Sequence, residues 1–134
     1  MASIHKEIRL NALPEDVWDA VRDVGNIHKR LCPGFLTDCR MDGPDARIVT
    51  FGNGMVVREP IVTVDEHEKR LVWSATGAIT RHYNAAVQVF PGREGTTRVV
   101  WIADFLPDSA AAAIAAAMDA GMAVMRRTLD SLAR

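Results

Sequence analysis

The chain is predicted to be an α+β protein in which a seven-stranded antiparallel sheet wraps around a long C-terminal helix. Three observations predict this. Between residues 35 and 105 apolar and polar side chains alternate with a period of two. The breaks in that pattern are short and rich in turn formers: Asp42-Gly43-Pro44-Asp45, Gly52-Asn53-Gly54, Glu66-His67-Glu68-Lys69, Gly77 and Gly92-Arg93-Glu94-Gly95. Connections this short force antiparallel hairpins, since parallel neighbours need long crossovers. After residue 107 the period lengthens: Ile114, Met118, Gly121, Met122, Met125, Leu129 and Leu132 recur at steps of three and four.

Each element has its own local reason. Ile4, Lys6, Ile8 and Leu10 alternate with His5, Glu7 and Arg9, which gives a first strand. Leu13-Pro14-Glu15-Asp16 starts a helix, because proline suits the first turn and acids favour the positive end of the helix dipole. Val17, Trp18, Val21 and Val24 form its apolar face before Gly25-Asn26 stops it. Residues 27–31 make a second short helical turn, closed by Pro33-Gly34. Six further strands follow at 36–41, 47–51, 55–65, 70–76, 80–91 and 96–105. The last helix, within 107–134, carries Asp119, Ala123, Arg126, Asp130 and Arg134 opposite its methionine-rich stripe. Flexible thioethers line adaptable spaces better than they specify tight ones, so a cavity between helix and sheet is expected.

Composition narrows the function. A chain of 134 residues is expected to form one domain, 1–134, with a real core. Sixteen basic against seventeen acidic residues leave no field to attract nucleic acid or an anionic membrane. No basic, apolar and small-residue succession follows Met1, so no secretory signal is expected. The apolar run 110–118 is short and mostly alanine, so no membrane span is expected. Cys32 and Cys39 form no CxxC pair, and reduced packing thiols in a cytoplasmic protein are the expectation. His5, His28, His67 and His82 lack HxH or HExxH spacing, so neither metal site nor cofactor is expected.

Register indicates what faces inward. A symmetric turn at Gly92–Gly95 sets Tyr83 opposite Asp104, Ala85 opposite Ile102 and Val87 opposite Val100. In the preceding hairpin Ile61 lies opposite Trp73, with Glu59 and Ala75 on the same face. Val56, Val62, Val64, Val72 and Trp101 then fall on the other face, an apolar patch that suggests a homodimer.

The order of elements resembles the START-like helix-grip superfamily, and within it the small bacterial polyketide cyclase/dehydrase-type (SRPBCC) proteins. The likeness is carried by residues 12–18 (ALPEDVW), Arg58-Glu59, Arg70-Leu71-Val72-Trp73, His82-Tyr83, residues 95–101 (GTTRVVW) and Phe105-Leu106-Pro107. It implies a hydrophobic pocket between sheet and helix for lipids, polyketides, hormones or other aromatic and isoprenoid molecules, in binders and catalysts alike. Glu59 and Tyr83 match pocket positions of such relatives, and Trp73 and Ala75 match apolar wall positions. Plant hormone receptors of this architecture hold a ligand carboxylate with a second-strand lysine; Thr37 stands there by position, and the gate and latch loops are missing.

Glu59 and Asp104 are the sharpest chemical signal. On the expected register both enter an apolar interior beside Tyr83 and Trp73, where a carboxyl is protonated, hydrated or paired. Such a carboxyl beside a tyrosine is equipment for proton transfer, dehydration or ring closure. The plainer alternative sets each at the open end of the sheet, bonded to Arg58, Arg81 or water. Three functions follow. The first is a binder of a small hydrophobic or aromatic molecule, with Glu59, Tyr83 and Asp104 orienting it and Ile61, Trp73, Ala75, Ala85, Ile102, Met118, Met122 and Met125 lining the wall. The second is a cyclase or dehydratase with Asp104 or Glu59 as base and Tyr83 as proton donor. The third is a protein-interaction module acting through the outer sheet face.

Overall fold

A computed structural model describes residues 1–75 and 79–133. The elements follow in the expected order: β1 (Ala2–Leu10), α1 (Pro14–Arg22), α2 (Ile27–Arg30), β2 (Leu36–Met41), β3 (Ala46–Phe51), β4 (Val56–Asp65), β5 (Arg70–Ser74), β6 (His82–Pro91), β7 (Thr97–Leu106) and α3 (Ala111–Asp130). The strands form one sheet in the order β1-β7-β6-β5-β4-β3-β2, every pairing antiparallel. Thr76, Gly77 and Arg134, which the sequence pattern assigned to a strand end, a turn and the helix end, lie outside the described residues.

One face of the sheet is the inner one. It carries Leu71, Trp73, Ala85, Val87, Val99, Ala103 and Phe105, which share a core with the buried stripe Ile114, Met118, Met122, Met125 and Leu129 of α3. Burial of each such side chain contributes about 1.5–3 kcal/mol. By length and composition the stretch Asp108–Asp130 could cross a bilayer; here its methionine stripe is laid on the sheet. Lys6 of β1 pins the outer side of the helix through Asp119 at 3.0 Å. Glu66, in the β4–β5 turn, holds α1 by accepting from Trp18 Nε1 at 2.7 Å and from Arg22 Nε at 2.8 Å.

Two local irregularities change which side chains face inward. In the β6–β7 hairpin Pro91 pairs with Thr97, which leaves the five residues 92–96 in the loop rather than four. Gly92 N–H closes it on the Thr96 carbonyl at 2.8 Å, and Glu94 and Gly95 take left-handed φ values of 55° and 77°. Tyr83 therefore pairs with Phe105, Ala85 with Ala103 and Val87 with Trp101. This corrects the expected register by one residue, and a one-residue slip exchanges the two faces. Asp104 and Ile102 move to the outer face, opposite Asn84 and Ala86, and Trp101 moves inside.

The second irregularity is a bulge between Ile61 and Thr63 in β4. Ile61 does lie opposite Trp73, but beyond the bulge Val64 pairs with Leu71 and so shares the inner face. The expected outer apolar patch thus loses Trp101 and Val64, and Val72 is only 5 % exposed.

Candidate ligand-binding cavity

Between the inner face, α1–α2 and α3 lies a cavity of about 590 Å³. This is within the ordinary range for small-molecule sites. Its walls are apolar: Leu31, Phe35, Phe51, Val57, Leu71, Ile114, Met118 and Met125 all contribute. Gly121 shapes one side from a distance. A Cβ there would stand 3.1 Å from the Trp101 ring and 3.2 Å from the Phe35 ring, so the missing side chain lets α3 lie close behind both.

The polar end is built on one cross-strand pair. Arg47 of β3 and Glu59 of β4 stand directly opposite each other on the inner face. Arg47 Nε donates to Glu59 Oε1 at 2.8 Å, with the two side chains only 3 % and 10 % exposed. Arg47 Nη1 donates to the Val24 carbonyl at 3.2 Å, and the guanidinium lies 5.3 Å over the Trp73 ring. Trp73 and Trp101 are near neighbours, with ring centroids 6.3 Å apart. The Trp73 N–H sits beside the Glu59 carboxyl and the Trp101 N–H beside the Tyr83 hydroxyl. Neither reaches hydrogen-bonding geometry.

Burial controls the charge of this end. It pushes Glu59 above the usual carboxyl range, outweighing the opposing pull of Arg47 and of the Trp73 N–H. It likewise pushes the Tyr83 phenol well above its ordinary value, and the nearby Glu59 charge adds to the effect. The Cys32 thiol at the cavity wall is pushed up to about 12 by burial, against the pull of Arg47. Cys39 is raised for the same reason. Tyr83 and Cys32 are thus neutral at physiological pH, and Arg47 is the fixed charge.

The residues singled out from sequence divide three ways. Glu59, Trp73, Ala75, Tyr83, Met118 and Met125 line the cavity. Ala85 and Met122 are buried in the surrounding core and Ile61 packs against it, all without bordering the space. Asp104 and Ile102 border a separate outer groove with His5 and Arg70. The Glu59–Asp104 pair is therefore corrected: the Glu59 carboxylate's partner is Arg47, while Arg58, named with Arg81 and water in the plainer alternative, binds Asp42 Oδ2 at 2.9 Å outside. Arg47, Trp101, Phe35 and Phe51 were missed. Counting symmetrically around Gly52–Gly54 would have set Arg47 opposite Glu59. Among the described residues no group of three or more His, Cys, Asp or Glu could hold a metal ion.

A curved antiparallel sheet closed over a cavity by one long C-terminal helix, with two short helices at its edge, defines a START-like helix-grip protein. The solved structures agree on the fold. XoxI from Bacillus cereus superposes with a TM-score of 0.86 at 19 % identity, covering 96 % of each chain. A START superfamily protein from Mycobacterium smegmatis gives 0.75 at 12 % identity over 98 % of this chain and 96 % of its own. Norcoclaurine synthase from Thalictrum flavum, in complex with dopamine and hydroxybenzaldehyde, gives 0.74 at 18 % identity over 98 % and 85 %. No curated protein matches the sequence. The chain belongs to the polyketide cyclase / dehydrase and lipid transport family, whose model matches residues 1–134.

Proposed function

We propose that this protein binds a small hydrophobic or aromatic molecule in the cavity between the sheet and α3. The observation that carries the reading is the cavity of about 590 Å³, mostly apolar, with Arg47, Glu59 and Tyr83 gathered at one end and Asn53 and Thr80 as its other polar side chains. Met118 and Met125 adapt the wall to the ligand's shape, Trp73 and Trp101 stack on it, and the polar end orients it. Native mass spectrometry of the freshly purified protein, followed by extraction, tests this. A co-purifying apolar molecule is the expected result. A clean apo mass, with no thermal shift across aromatic and isoprenoid compounds, would sink it.

A catalytic reading is favoured by one observation. The raised Glu59 carboxyl and the neutral Tyr83 hydroxyl interact within one apolar space, which suits proton transfer during ring closure or dehydration. Tyr83→Phe separates the two readings: a binder loses a little affinity, whereas an enzyme loses turnover far more than binding. The free thiols of Cys32 and Cys39 support a cytoplasmic setting. Homodimerisation through the outer face rests on Val56 and Val62, exposed by 55 % and 60 %. Sedimentation at micromolar concentration decides it, and a monomer mass would set it aside.

A further inference from the structure

Arg47 has donors to spare. A guanidinium carries five N–H groups. One goes to Glu59 Oε1 and one to the Val24 carbonyl. No further acceptor faces the remaining three among the described residues, and the guanidinium, which lines the cavity, is not among the sealed side-chain atoms that lack a partner. Glu59 is half used in the same way: Oε1 accepts from Arg47, and Oε2 accepts no hydrogen bond of good geometry among the described residues. Guanidinium donors that open onto an apolar cavity are free to meet a ligand there, and what matches their planar fork best is a carboxylate.

Resting on the cavity reading above, we propose that the ligand is an apolar molecule bearing one carboxyl group, whose carboxylate takes the unused donors of Arg47 while Glu59 takes up one proton. Two carboxylates on one cation in a dry space repel, so one of them must be protonated. Glu59 is the one that yields, because burial already favours its neutral form. The other titratable groups facing it are Tyr83 from β6, Cys32 before β2 and Cys39 on β2, all neutral, so among charged groups only Arg47 opposes protonation, with a smaller pull from the Trp73 N–H. The balance is simple. The free carboxylate and one proton from solution enter, an O–H bond forms on Glu59, and the Arg47 charge passes from the Glu59 carboxylate to the ligand's. The site's net charge stays at zero.

The experiment competes dodecanoic acid and 2-naphthylacetic acid, each beside its primary amide, against the neutral fluorophore N-phenyl-1-naphthylamine in the full chain. Acids are expected to bind at least about tenfold tighter than amides near pH 6, and to weaken about tenfold per pH unit wherever one proton is taken up. Calorimetry in two buffers of different ionisation heat should count that proton. Glu59→Gln should hold acids at least as tightly, with no pH dependence, since it frees the Arg47 charge; a merely structural Glu59 would instead weaken every ligand. Arg47→Gln should erase the preference for acids while the fluorophore still binds. If that variant fails to fold, Arg47→Gln with Glu59→Gln carries the same comparison without an unpaired charge. Amides equal to acids, or no proton taken up, would overturn the proposal while the fluorophore shows the cavity intact. If neither fluorophore nor acids bind, the cavity reading falls and this one with it.

Discussion

At the scale of single residues, the buried groups tie stability to pH in opposite ways from surface groups. Folding raises the Glu59 carboxyl above its ordinary 4.5, so the folded chain holds that proton more tightly than the unfolded one. The stabilisation from this group is complete below pH 4.5 and is lost as pH rises through the raised value. Urea midpoints measured from roughly pH 4 to pH 8 should therefore show a downward component that Glu59→Gln removes. A wild type and variant with parallel profiles would show that the group is not buried as described. Cys32 follows the same rule at the alkaline end, between its ordinary 9.0 and about 12. Its thiol should resist iodoacetamide at about pH 8 until denaturant is added, since only the thiolate reacts. Fast labelling of the native protein, mapped to Cys32 by mass spectrometry, would contradict the burial.

At the scale of elements, loop length decides what the strands display. The five-residue loop 92–96 turns Trp101 inward and Asp104 outward. Asp104→Ala should accordingly leave ligand affinity unchanged within error, whereas Tyr83→Phe should weaken it; a large loss in Asp104→Ala would restore the four-residue register. This hairpin also marks the limit of what the sequence discloses. Alternation and turn residues place the strands to within a residue or two, because a period of two needs only local composition. They do not count the residues in a loop, and Thr96 fits a strand as well as a turn. The bulge at Val62 is equally silent, since a valine suits either setting. Arg47 was legible as a strand residue but not as the partner of Glu59, because that depends on pairing across β3 and β4. Gly121 gave a clearer hint, a small residue inside an apolar stripe. Gly121→Ala should raise helix stability by up to ~1 kcal/mol. It should also push the Trp101 and Phe35 rings a few tenths of an ångström toward the cavity, where they have room to move. Thermal unfolding without ligand should rise or hold while ligand affinity drops. A fall in both would mean the rings are wedged.

At the scale of the whole molecule, the sheet and α3 enclose space that an ordinary core would fill. An occupant is in that sense a missing piece of the interior, and its binding adds RT ln(1 + [L]/Kd) to stability, about 2.7 kcal/mol at a hundredfold excess over Kd. The empty volume has a mechanical consequence as well. Unfolding abolishes the cavity of roughly 590 Å³, and the part of it that water packs poorly makes the unfolded chain plus solvent take up less room than the folded protein. Hydrostatic pressure should therefore denature the ligand-free protein more readily than a solidly packed domain of the same size. Tryptophan fluorescence under pressure would follow the transition through Trp73 and Trp101. A bound molecule should move the midpoint upward more than its effect on thermal unfolding alone would suggest, because it removes the compressible space as well as adding binding energy.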